Sequence, residues 1–160
     1  MDYRIGFSKD IHRLVENRKL IIGGGIVPYE KGELAHSDGD VLYHALAESI
    51  LGALALGDLG KHFPDTSEAT LNMDSADIVK EVVRMMEEKG YEVNNTDIFV
   101  SLEKPKLKDY IETMRHNIAT LLKVDIDRVS VKAGTNEKMG PVGEGLAIEA
   151  TATTLLVKNK

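Results

Sequence analysis

Residues Leu34 to Gly57 read LAHSDGDVLYHALAESILGALALG, and this stretch organises the chain. Val41, Leu42, Ala45, Leu46, Ile50, Ala53 and Leu54 recur at helical spacing, with Gly57 as a stop. Ser37 or Asp38 is the expected N-cap, because a short side-chain oxygen accepts from an orphan N–H of the first turn. Gly39 and Asp40 then open the helix, where acidic groups suit its positive end. Asp40, His44 and Glu48 follow one another at intervals of four, so they share one stripe bordering the apolar face. His36 lies just ahead of it.

A second cluster stands near the N-terminus, at Asp10-Ile11-His12. On a strand, residues two apart face the same way, so this carboxylate and imidazole project together. If the clusters meet, Asp10, His12 and His44 make a His-His-carboxylate set, which suits zinc with one position open for substrate. The alternatives are a packed or hydrogen-bonded helical His44 and a helix start that binds an anion without metal.

The chain has 160 residues, enough for one domain spanning 1–160 with a core that needs no disulfide or structural metal. Cys is absent, which removes disulfides, thiolate–zinc sites and cysteine nucleophiles. The formal net charge of −6 argues against a nucleic-acid polymer as partner, and the lack of Trp argues against a stacking platform. No signal pattern or membrane-spanning run is present, so the expected localisation is cytoplasmic, with no membrane partner.

Outward from the organising helix, Tyr3 to His12 reads as a strand with an irregular tail, broken by a bulge or turn at Ser8-Lys9. Leu20-Ile21-Ile22 is a short strand. Gly23-Gly24-Gly25 resembles a phosphate loop, but Ile26-Val27-Pro28 follows it rather than a helix, so it reads as a hairpin turn. Asp58 to Thr66 is a compact loop, and Asp74-Ser75 caps a second helix that Gly90 ends. Thr96 to Leu102 is a strand, a helical period resumes at Leu107, and strands follow at Val129–Ala133 and Leu146–Val157. Gly134 to Gly145 is a glycine-bearing loop. The order predicts an α+β single-domain sandwich of one mixed β-sheet with helices packed on one face. Small residues on the last strand (Ala147, Thr151, Thr153) predict that the other face packs against another copy, as a homo-oligomer.

Taken together, the motifs resemble the 2-C-methyl-D-erythritol 2,4-cyclodiphosphate synthase family of the non-mevalonate isoprenoid pathway. The carriers are Asp10-x-His12, Pro28-Tyr29-Glu30-Lys31-Gly32, Ala35-His36-Ser37-Asp38-Gly39-Asp40 with His44, Leu51-Gly52-Ala53-x-Ala55-Leu56-Gly57-Asp58-x-Gly60 and Phe63-Pro64-Asp65-Thr66. Pro105-Lys106, Lys132-Ala133, Glu137-Lys138 and Gly143-Glu144-Gly145 follow in order.

The resemblance implies a homotrimer with active sites between subunits. It implies a phosphorus–oxygen lyase that cyclises 4-diphosphocytidyl-2-C-methyl-D-erythritol 2-phosphate and releases CMP. It implies one Zn²⁺ per subunit on Asp10, His12 and His44, and Mg²⁺ or Mn²⁺ on the substrate diphosphate near Glu137. His36 and Thr135 would be the catalytic, transition-state-stabilising residues. Substrate would also touch Asp10, His12 and Ser37. Asp58, Leu59, Gly60, Phe63, Pro64, Asp65, Thr66 and Ser67 would meet the erythritol part. Leu102, Glu103, Lys104, Pro105, Lys106, Leu107 and Lys108, with Gly134, Thr135, Asn136 and Glu137, would enclose the cytidine diphosphate.

Three departures from the family pattern carry expectations. Ser8-Lys9 precede Asp10, so the first loop is set differently. Glu48 stands where Asp is usual. The late loop, Gly140-Pro141-Val142-Gly143, is short and lacks an Arg, so Glu149 faces the trimer channel without its usual partner. A zinc-dependent hydrolase and a trimeric binding module with a structural metal are the competing readings.

Overall fold

The first strand, β1, runs unbroken from Tyr3 to Glu16, and everything else is placed against it. In the computed structural model of the chain, residues 1–64, 66–70 and 73–159 are described. The expected break at Ser8-Lys9 is absent, because Tyr3 through Arg13 pair with Val157 through Ala147 without a shift in register. The reason lies in Ser8. It points inward, and its hydroxyl donates to Glu48 Oε1 at 2.5 Å, so a polar residue sits in a regular strand without needing to bulge outward.

The remaining strands are β2 (Leu20–Ile22), β3 (Gly25–Val27), β4 (Lys31–Glu33), β5 (Tyr91–Ser101), β6 (Val129–Gly134) and β7 (Ala147–Lys158). Five of them form one mixed sheet in the order β4-β1-β7-β5-β6, with only β5 and β6 parallel. β2 and β3 form a separate hairpin. The helices are α1 (Val41–Ala53), α2 (Leu59–His62), α3 (Ser75–Glu88), α4 (Ile111–Leu122) and α5 (Gly140–Gly143). β4, α2 and α5 are too short to show a period, and the sequence reading misses all three.

Helix α1 lies over β1 and β7, α3 packs beside it, and α4 lies over β6. The approach of α1 to β1 is close enough to dictate a glycine. A Cβ on Gly6 would stand 1.8 Å from Ser49 O and 2.6 Å from Ala53 N. Buried Leu42, Leu46, Ile50, Val79, Val82, Ile98, Ile118, Ile148 and Leu156 fill the space between helices and sheet.

Both ends of α1 differ from expectation. Its N-cap is Asp40, not Ser37 or Asp38, and the Asp40 carboxylate accepts from Tyr43 N at 3.1 Å. The same carboxylate accepts from Gly23 N at 3.0 Å and Gly24 N at 2.8 Å. The glycine turn between β2 and β3 is thus docked on the helix start. Its amides are spent on a protein carboxylate rather than offered to phosphate. At the other end α1 stops at Ala53, ahead of Gly57. Leu56 N donates to Leu51 O and Ala55 N to Gly52 O, both at 3.0 Å, while Ala55 takes φ 56°. That is a Schellman closure with alanine in the usual glycine position, so a search for glycine overshoots it. The expected cap Asp74 and terminator Gly90 of α3 are as read, with Gly90 at φ 83°.

Among the described residues, none of the long helices covers the opposite face of the sheet. Tyr3, Ile5, Phe7 and Ile11 of β1 project from it, 51–70% exposed, and Phe99 lies across β7 from Lys9 on the same face. Glu149 is not alone there, since Lys9 Nζ stands 3.9 Å from its carboxylate.

Candidate active site

Regular alternation on β1 turns Asp10 and His12 to the helix side, where α1 presents His44 one turn past its cap. Asp10 Oδ2 lies 2.9 Å from His12 Nε2 and 3.3 Å from His44 Nδ1, and the two ring nitrogens are 3.4 Å apart. Among the described residues this is the one group of three or more His, Cys, Asp or Glu placed to share a metal ion.

Hydrogen bonds around the cluster decide which atoms face inward. Asp10 Oδ1 accepts from Ile11 N at 2.9 Å, leaving Oδ2 for the centre. His12 Nδ1 is 2.8 Å from Gly39 O, and a carbonyl only accepts, so Nδ1 carries a hydrogen and Nε2 is the nitrogen left to face Asp10 and His44, able to bind a metal once it is free of a proton. Tetrahedral zinc with ligand bonds of about 2.1 Å sets its ligand atoms about 3.4 Å apart. The separations of 2.9, 3.3 and 3.4 Å fit that frame, so the donor set suits the ion in chemistry and spacing.

The titration behaviour agrees. Burial pushes Asp10 toward neutrality, but hydrogen bonds from His12 and His44 overcome it and hold the carboxyl well below the usual range. Burial likewise disfavours the His12 cation, but the Asp10 carboxylate outweighs it and raises the imidazole above 6.5. The cluster therefore attracts positive charge, whether proton or metal.

Below it, two further carboxyls are fully buried. Asp40 is pushed up to about 6 by burial, against the pull of its three amide donors. Glu33 is pushed well above the ordinary range by burial and then by the Asp40 charge. Its oxygens accept from Val41 N at 3.0 Å and Ile21 N at 3.3 Å, which ties α1 and β2 to β4. The sequence reading misses Glu33 because its partners lie on two other elements.

The cluster forms one wall of a cavity of about 420 Å³. Of the expected residues, Asp10, His12, His36, Ser37, His44, Leu59, Gly60 and Phe63 line it, joined by Leu34, Ala35, Glu48 and Ile78. His36 Nε2 donates to Ser67 O at 2.8 Å. Arg18 holds the preceding loop through Ala35 O and Ser37 O, at 3.3 and 3.1 Å. Asp58 caps α2 by accepting from Lys61 N at 3.0 Å, and Glu48 Oε2 accepts from Leu59 N at 2.9 Å. Glu48 thus braces the loop that closes the cavity. Asp65 lies outside the described residues.

The remaining expected residues stand elsewhere. Leu102, Glu103, Lys104, Pro105, Lys106, Leu107 and Lys108, with Gly134, Thr135, Asn136 and Glu137, lie at or just beyond the ends of β5 and β6, on the far side of β7 from β1. The two loops are joined to each other. Leu102 N donates to Gly134 O at 3.0 Å and Lys138 N to Glu103 Oε1 at 2.8 Å. None of these residues lines the cavity, and Thr135 and Glu137 are exposed.

The YgbB family model matches residues 3–157. A relative from Brachyspira hyodysenteriae named 2-C-methyl-D-erythritol 2,4-cyclodiphosphate synthase is 52% identical over 157 residues, covering 98% of this chain and 99% of its own length. The bifunctional IspDF from Campylobacter jejuni superposes with a TM-score of 0.94 at 39% identity over 98% of this chain, which spans 42% of that longer protein. IspF of Plasmodium falciparum, in a CDP complex, has a TM-score of 0.87 at 36% identity, covering 99% of this chain and 97% of that one. From residue 3 to residue 157 the chain belongs to the YgbB family, whose relatives carry the name 2-C-methyl-D-erythritol 2,4-cyclodiphosphate synthase.

Proposed function

We propose that the chain is a single catalytic domain, residues 1–160, of a 2-C-methyl-D-erythritol 2,4-cyclodiphosphate synthase. One observation carries the reading. Three potential ligand atoms, Asp10 Oδ2, His12 Nε2 and His44 Nδ1, converge at the wall of a cavity, at the spacing of three corners of a zinc tetrahedron.

In this reaction a 2-phosphate oxygen of the substrate attacks its β-phosphorus. The bond from that phosphorus to the CMP oxygen breaks, CMP leaves, and no water is consumed. The substrate supplies its own nucleophile, so the protein's task is alignment and charge. Among the described residues the cavity is lined by two carboxylates and three imidazoles, with neither Lys nor Arg, so these side chains alone do not welcome a diphosphate. Zn²⁺ held by Asp10, His12 and His44 would supply a Lewis acid there, with Mg²⁺ or Mn²⁺ accompanying the diphosphate.

His36 and Ser37, on the loop that Arg18 holds, orient phosphate. Asp58, Leu59, Gly60, Phe63, Pro64, Asp65, Thr66 and Ser67 receive the erythritol part. Thr135 assists the transition state, Glu137 approaches the second ion, and the 102–108 and 134–137 loops receive the cytidine diphosphate. Those loops line no part of the cavity within one chain, which supports a homotrimer whose active sites are each completed by a neighbour. The bare apolar sheet face supports the same assembly, since a patch of that kind marks an interaction surface. The absence among the described residues of any helix long and apolar enough to cross a membrane is compatible with a cytoplasmic location.

The test is turnover of 4-diphosphocytidyl-2-C-methyl-D-erythritol 2-phosphate in ¹⁸O-water. CMP release with no solvent oxygen in either product is expected, and His44→Ala should abolish it. Solvent oxygen in a product phosphate would make the enzyme a hydrolase and overturn the reading.

A further inference from the structure

Ser75 is fully buried at the first position of α3, and its hydroxyl is not needed to cap that helix. Asp74 performs that role, accepting from Ala76 N at 2.9 Å. The Ser75 hydroxyl instead stands between two groups from another part of the chain. Its Oγ is 2.9 Å from His44 Nε2 and donates to Asp38 Oδ1. The Ser75 amide donates to the other oxygen of the same carboxylate, Asp38 Oδ2, at 3.0 Å. Asp38 is itself fixed, through its own N–H to Met73 O at 3.0 Å and through Asp40 N to its Oδ1 at 3.1 Å.

The direction of each hydrogen bond follows from what the end group can do. An ionised carboxylate only accepts, so the single hydroxyl proton of Ser75 goes to Asp38. Ser75 Oγ can then only accept from His44, which puts a hydrogen on Nε2 and leaves Nδ1 with its lone pair toward Asp10 and His12. We propose that Ser75 is a positioning residue for the metal site, linking the Asp38 carboxylate to His44 so that the imidazole keeps the tautomer and orientation in which Nδ1 binds the ion. Such outer partners fix ring orientation and strengthen the ligand. Ser37 Oγ is also near Nε2, at 3.2 Å, but it accepts from Gly39 N and touches no carboxylate, so it does not replace the link.

This inference rests on the metal-site reading under the proposed function, and the test separates the two. Zinc affinity of the full chain is measured by chelator competition at fixed pH, and the cobalt-substituted protein is examined by visible absorption. Ser75→Ala is expected to bind zinc about 10–100-fold more weakly and to shift the cobalt bands, whereas Ser37→Ala stays much closer to the unaltered chain. A role in packing alone would lower the melting temperature without moving the cobalt spectrum. Should Ser75→Ala fail to fold, Asp38→Asn reads the link from its other end, with the same loss expected. A folded variant of either kind that binds zinc within about twofold of the unaltered chain overturns the link. Failure of the unaltered chain to bind zinc would instead overturn the metal site itself.

Discussion

His12 divides its two ring nitrogens between structure and chemistry. Nδ1–H is spent on Gly39 O, and Nε2 faces Asp10 and His44. Metal binding needs the neutral ring, so a bound ion displaces the proton that Asp10 otherwise favours there. The sign of the pH dependence follows. With no metal, the raised His12 value means that its pairing with Asp10 stabilises the fold fully below pH 6.5. That contribution fades as pH rises through the raised value. The lowered Asp10 value adds stability above 3.8 that is lost only as pH falls through it. Calorimetric titration of metal-free protein with zinc, in buffers of differing ionisation enthalpy, should therefore show proton release that is larger at pH 6.5 than at pH 8.5. Release independent of pH would contradict the assignment. At this scale the sequence showed the three residue types that the structure brings together, with two of them at strand spacing. It did not show Gly39 O, Ser75 or Glu33, because each acts from another element across space rather than along a local period.

Between elements, the decisive contacts are backbone to backbone or carboxylate to amide. Gly6 lets α1 rest on β1, and any Cβ there must displace helix backbone. Gly6→Ala should cost about 3 kcal/mol or more, read by chemical denaturation, and loss below about 1 kcal/mol would refute the close packing. Asp40 joins the glycine turn to the start of α1 through three amides. Asp40→Ala would orphan them, each at about 1–3 kcal/mol, and should weaken zinc binding by loosening the helix end that carries His44. A chain of buried hydroxyls joins α1 to the sheet, with Ser49 Oγ 2.7 Å and Thr96 Oγ1 2.9 Å from Thr154 Oγ1. Thr154→Val should destabilise by about 1–2 kcal/mol with little effect on metal affinity. The long helices and most strands were legible from their periods. The boundaries of α1 were not, because Asp40, held by amides of a distant turn, takes the cap in place of the earlier Ser37 or Asp38, and Ala55 ends the helix without glycine.

On the scale of the whole molecule, one sheet keeps the Asp10, His12 and His44 cluster apart from the 102–108 and 134–137 loops, with β7 between them. The exposed Tyr3, Ile5, Phe7 and Ile11 lie on the face without helices, where a second and third copy would cover them. Phe7→Asp should give monomers in analytical ultracentrifugation that still bind zinc but have lost most CMP release. A monomeric variant with full activity would show that one chain suffices. The order of the main elements was readable from the sequence. That the cluster and these loops lie on opposite sides of β7 was not readable from residue spacing, because it depends on which strand lies between β1 and β5.

The most direct test of the central claim is an anomalous difference map from zinc-loaded crystals, collected on both sides of the zinc edge. One peak per chain is expected, about 2.1 Å from Asp10 Oδ2, His12 Nε2 and His44 Nδ1, with the fourth position facing the cavity. A zinc peak held elsewhere, or none at these atoms in protein that turns over substrate, would contradict it.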